Sequence, residues 1–199
     1  MTLALGVDVS ERRGLDLAVL SPEKTLLGLW SRVRVEDLPA FLARWRPAAI
    51  GIDAPSQWRS GTSCRAGERA LFQRGIRLFF TPTAERATHP FYRWMAVGMR
   101  VWQVVAQGGY RPYPGEGSVR GCALEVFPHA TATLLAGRTV AKRERAEVLR
   151  AEGVPLPQPV HQDGVDATLA ALTVWYALQG AHQALGDRQS GWIAIPRRP

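Results

Sequence analysis

Residues 3–10 read LALGVDVS, a short apolar run that ends on an acid, Asp8. Seven apolar or small residues around one carboxylate describe a buried strand that delivers the acid to its C-terminal end. The device recurs. Residues 48–55, AAIGIDAP, end on Asp53, and residues 122–128, CALEVFP, carry Glu125. Side chains two apart on a strand share a face, so Gly6, Gly51 and Ala123 each precede an acid on its own face. A tiny residue there leaves room for a helix, a metal or a substrate backbone. The expectation is three strands that point three acids at one place.

The surrounding pattern organises around these strands. Residues 15–20 and 25–33 read as further strands, separated by turns at 11–14 and 21–24 that are short enough for an antiparallel meander. A helix over 35–45 has Leu38, Phe41, Leu42 and Trp45 at helical spacing, and its crossover makes the strand at 48–53 parallel to the first. Residues 55–63 read as a polar loop. Helices follow over 64–74 and 90–107, then a loop over 110–121, the Glu125 strand, and helices near 129–137, 142–152 and 164–179. Residues 192–195 read as a closing strand. The expected fold is α/β: a mixed sheet, three antiparallel strands then parallel ones, flanked by helices. With no internal repeat and no long linker, 1–199 is expected to be a single domain with a helical insert at about 55–120.

Asp163 and Asp166, in HQDGVDATLAAL, stand three apart at the start of the last long helix, with Ala167, Ala170 and Ala171 behind them. Each acid alone also fits a turn, an ion pair or a helix cap. Gathering them raises mutual repulsion, which a fold tolerates where cations fill the gap. Hard divalent ions such as Mg²⁺ or Mn²⁺ take oxygen ligands, and a pair of them can drive phosphodiester hydrolysis. Asp8, Asp53, Glu125 and Asp166 are therefore the expected catalytic acids, and with Asp163 the expected metal ligands. His161 is a candidate proton shuttle.

Of 199 residues, 46% are hydrophobic, as in an ordinary globular chain. No run approaches the ~18 apolar residues of a membrane span. The chain enters a strand without a leader-like segment, and Cys64 and Cys122 are the only cysteines, so a reducing cytoplasm is expected. The formal net charge is +8, carried almost wholly by Arg. Between Pro55 and Arg120 there are ten Arg against three acids, interleaved with Trp, Phe and Tyr. That mixture suits phosphate contact and base stacking, making DNA or RNA the expected partner. Arg65 and Arg69, four apart, and Lys142 are the expected substrate-binding cations.

Taken together, GVDVS, GIDAP, the segment from Arg65 to Ile76, EVFPHAT, the basic 142–149 stretch, DGVDATLAAL and GWIAIP resemble the family called domain of unknown function 429, described as predicted RNase H-like nucleases. The resemblance implies an RNase H-like fold with a five-stranded mixed sheet, and a carboxylate cluster onto which Asp8, Asp53, Glu125 and Asp166 map. It supplies no substrate. Relatives of this fold imply a possible homodimer. Three functions are expected in descending order: a metal-dependent nuclease, a non-catalytic nucleic-acid-binding or scaffold protein, and a nucleotide-dependent phosphotransferase.

Overall fold

The computed structural model describes residues 2–61 and 64–197. Strands β1 (Ala4–Ser10) and β2 (Gly14–Leu20) form a hairpin in which Ser10 pairs with Gly14. Gly14 takes a left-handed φ of 80°, which a glycine adopts without strain. Both strands are buried almost throughout, the condition of a sheet covered on two faces. Strand β3 (Leu26–Val33) is antiparallel to β2 and mostly half-exposed, as an edge strand should be. Helix α1 (Leu38–Trp45) carries Pro39 in its first turn, where the missing N–H forfeits no bond. It returns the chain to β4 (Ala49–Asp53), parallel to β1.

Helices α2 (Ala66–Gln73) and α3 (Arg93–Gln107) follow, then a two-residue strand, β5 (Arg111–Pro112), and β6 (Cys122–Val126). The polar loop expected over 55–63 includes Thr62 and Ser63, which lie outside the described residues. Helices α4 (Pro128–Ala136), α5 (Arg145–Ala151) and α6 (Gln162–Leu178) precede a final hairpin of β7 (His182–Asp187) and β8 (Gly191–Pro196). The sheet order is β3-β2-β1-β4-β6-β8-β7. The first five are the expected mixed core. Beyond it, β6 divides its far edge, pairing β5 through Cys122 and Ala123 and β8 through Glu125 and Val126.

Two layers of helices cover the sheet. On one face α6, with α4 and α5, buries Ala4, Ala18, Ala49, Leu124 and Val126. On the other, α1 and α3 bury Leu5, Val7, Leu17, Ile50, Ile52 and Ala123. The space beside Gly6 and Gly51 is filled by a helix. A Cβ on Gly6 would lie 2.1 Å from the Ala167 carbonyl oxygen and 2.3 Å from the Ala171 nitrogen. One on Gly51 would lie 2.9 Å from the Ala170 oxygen. The small residues on both sides let α6 rest directly on β1 and β4. Gly6→Ala is accordingly expected to cost about 1–3 kcal/mol by forcing helix and sheet apart. Urea unfolding checks this; an unchanged midpoint would mean that the close contact is not maintained in solution.

Candidate active site and metal centre

Register decides which acids meet. In β1 and β4, Asp8 pairs with Asp53, so both side chains leave the sheet on the α6 face. In the β1–β2 hairpin Asp8 also pairs with Asp16, placing a third acid on that face. The close seating of α6 then brings Asp163 and Asp166, three apart in its first turns, over the strand ends. The positive end of the helix dipole favours acids there. One carboxylate oxygen from each of Asp8, Asp16 and Asp163 lies within 4.8 Å of the others. Asp8, Asp16, Asp163 and Asp166 are all buried.

Glu125 does not join them. Ile52, not Asp53, pairs with Glu125, and neighbours on parallel strands share a face. Glu125 therefore leaves the sheet on the α3 side, beside Ala123 and away from Asp8 and Asp53. Its oxygens are taken by Arg65, through Nη1 at 2.7 Å and Nη2 at 2.6 Å, and by the Ser56 N–H at 2.8 Å. The expected convergence of three strand acids is corrected to two strand acids from β1 and β4, with Asp16 in the third place.

The expected phosphate clamp of Arg65 and Arg69 is also corrected. Arg65 is 3% exposed, and its Nε donates to the Ser190 carbonyl at 2.7 Å while its two terminal nitrogens hold Glu125. Glu68, equally buried, lies 3.7 Å away and accepts bonds from Thr81. No edge of this guanidinium is left for substrate. Arg69 is exposed and, like Arg65, lines a separate surface recess. Lys142 does reach the acids, 3.6 Å from Asp166, alongside Arg145 at 2.6 Å. Arg13 pairs with Asp163 at 2.7 Å.

Asp8, Asp53, Asp163 and Asp166 floor a cleft of about 720 Å³ at the strand ends, which Arg12, Arg13, Lys142, Arg145, Phe79 and Phe91 also line. Burial holds the Asp8 carboxyl well above its ordinary range, and the charges of Asp53, Asp166, Asp163 and Asp16 push in the same direction. Asp53 is pushed up to about 7 by burial and then by Asp166, against a hydrogen bond with Asp8 and the pull of Arg145 and Lys142. A carboxyl raised in the native state keeps a proton that the unfolded chain has lost, so its contribution to stability is present in acid and disappears as pH rises through about 7. Without metal, wild type is expected to unfold more easily at about pH 8 than at about pH 5, and Asp53→Asn to narrow that difference. Denaturant midpoints in EDTA measure it; equal narrowing by a remote Asp→Asn control would remove the assignment to Asp53.

Arg12, Arg13 and Arg145 had no place in the sequence expectation, nor had Asp16 and Gln162. Asp16 holds His161 Nε2 at 3.1 Å, and the same nitrogen lies 2.8 Å from Ser31 Oγ, so His161 braces the rim by its contact with β2 and β3. Gln162 Nε2 reaches Asp166 at 3.3 Å. The turn at 11–14 offered a signal for Asp16, because a hairpin folded there sets residue 16 opposite residue 8.

Strand order and two helical layers, with an acid-floored cleft at the strand ends, make an RNase H-like fold. Solved structures agree on the fold. Thermus thermophilus RuvC in complex with a Holliday junction substrate is similar, with 20% identity, a TM-score of 0.53, and coverage of 90% of this chain and 97% of that one. A second Thermus thermophilus RuvC structure gives 18% identity, a TM-score of 0.50, and coverage of 92% and 99%. No curated protein matches the chain. The chain belongs to the family described as protein of unknown function (DUF429), which matches residues 6–190.

Proposed function

We propose that this protein is a divalent-cation-dependent phosphodiester hydrolase acting on nucleic acid. The observation that carries the reading is the meeting of Asp8, Asp53, Asp163 and Asp166 at one cleft, where burial and mutual repulsion already hold Asp8 and Asp53 above the ordinary carboxylate range. The donor set fits a hard cation: it is all oxygen and partly closed from water. Asp8, Asp53, Asp163 and Asp166, joined by Asp16, would hold Mg²⁺ or Mn²⁺. A pair of such ions supplies an activated water and stabilises the leaving oxygen of a phosphodiester.

The chain's own residues then have definite parts. Asp8 and Asp53, whose carboxyls burial holds above the ordinary range, would release protons to solvent on taking up a cation. Arg13, Lys142 and Arg145, now neutralising Asp163 and Asp166, are free to turn toward phosphate oxygens when cations take their place. His161 keeps Asp16 oriented. The segment at about 55–120 is the substrate-seating insert of a single domain working in the cytoplasm. Among the described residues no helix is long and apolar enough to cross a membrane. The RuvC likeness supports nucleic acid as partner, one such structure being bound to a Holliday junction.

One observation favours a second reading, nucleic-acid binding without turnover: Arg145 and Lys142 already satisfy Asp166 without any metal. Labelled single strands, duplexes and four-way junctions of DNA and RNA, incubated with Mg²⁺ or Mn²⁺ and with EDTA, separate the two. Cleavage that EDTA stops supports the hydrolase. Saturable binding that weakens steeply with salt, with every strand left intact, supports the binder.

A further inference from the structure

We infer that the cleft seats an unpaired nucleobase against Phe79, Phe91 and Trp94, so that the substrate is a single strand or an unpaired segment rather than an intact duplex. The inference rests on the nucleic-acid reading above and names the substrate class of that same cleft. Its walls come from different parts of the chain and differ in chemistry. Arg12 and Arg13 from the β1–β2 turn, with Lys142 and Arg145 from the segment before α6, surround the acids with positive charge. Phe79, Phe91 and Trp94 come from the insert between β4 and β6 and are apolar.

Phe79 is 67% and Phe91 46% exposed, and their rings stand edge to face with centroids 5.0 Å apart. Open aromatic faces beside a polar cleft mark a binding surface more than a gap in the core. Behind them a smaller cavity of about 70 Å³ shares Asp53, Phe79 and Trp94 with the cleft and is walled further by Met95, Val126 and Phe127. The two glutamates on its rim, Glu68 and Glu125, are committed to Thr81 and Arg65. Apart from Asp53, the cavity therefore offers mostly apolar contact, which suits stacking that tolerates any base.

A nucleotide has one anionic end and one flat apolar face, and the cleft presents a match to each. The cations accept the phosphate beside the carboxylates, and the rings accept the base. A duplex cannot use the second wall, because its base faces are stacked inside and only phosphates and groove edges point outward. An acidic peptide would satisfy the cations but has no comparable flat face for each charge.

The test measures binding without turnover. The wild-type protein, with Ca²⁺ in place of Mg²⁺ so that the acids hold a hard ion while binding rather than turnover is read, is titrated at one salt concentration with a mixed-sequence single strand carrying 2-aminopurine, and with the blunt duplex of the same sequence. The single strand is expected to bind more tightly, with 2-aminopurine emission quenched on binding. Phe79→Ala and Phe91→Ala are each expected to weaken single-strand binding about tenfold and leave the duplex unchanged. Both rings are exposed, so the variants should keep the parent melting curve. Equal affinity for the two forms, with neither phenylalanine mattering, overturns this inference and leaves the hydrolase reading standing. No binding to either form overturns both.

Discussion

Asp8→Asn is expected to lower metal-dependent cleavage by about a hundred- to a thousandfold, on the scale of removing one group that stabilises transition-state charge. The protein should remain folded. Asp8 stands at the centre of the acids: it pairs across β1 with Asp53 on one side and Asp16 on the other, and feels Asp166 and Asp163 from α6. Asparagine keeps the shape and can still donate to Asp53, but it brings no charge to a cation. In EDTA the variant should be at least as stable as wild type, because a neutral side chain replaces a carboxyl whose charged form is disfavoured by burial and by the neighbouring acids. Loss of cleavage with retained or raised stability separates a functional acid from a structural one. Undiminished turnover in Asp8→Asn would remove this cluster from the chemistry.

Arg65→Met should do the reverse, costing stability first. Arg65, Glu68 and Glu125 are each at most 6% exposed, and Arg65 is the cation that both carboxylates face. Removing one partner of a buried ion pair leaves charge stranded, typically at about 3–5 kcal/mol. The same side chain ties the start of α2 to the β7–β8 turn through Ser190, so the insert should loosen with it. Arg65→Met combined with Glu125→Leu is expected to recover much of the loss, since an apolar pair of similar volume is tolerated where a single charge is not. Denaturant unfolding of the two variants measures this. A stable Arg65→Met that merely binds nucleic acid less well would instead restore Arg65 as a phosphate ligand.

Those two residues show where the sequence was readable. Asp8 and Asp53 were legible because an acid closing a buried apolar run is rarely accidental, and the alanines of α6 announced its close seating. Glu125 misled because alternation within a strand fixes faces only relative to that strand; comparing strands needs their register, and β4 and β6 are offset by one residue, which reverses the face. Asp16 was hidden in GLDLAVL, whose apolar surroundings read as plain core. Arg65 and Arg69 have helical spacing, but Arg65 precedes α2, which begins at Ala66, so the one-face argument does not apply. Strand β7, HQALGD, buries only Leu185, and its pairing with β8 supplies what its pattern lacks.

The central claim is that the acids of β1, β4 and α6 bind divalent cations as a unit. Thermal unfolding of wild type and Asp8→Asn, each in EDTA and in Mg²⁺ or Mn²⁺, tests it most directly. A ligand that binds only the native state adds about 2.7 kcal/mol at a concentration 100 times its Kd. Wild type is predicted to gain stability with metal in that manner, and Asp8→Asn to lose most of the gain. Coincident curves with and without millimolar metal, in wild type as in the variant, would contradict the claim.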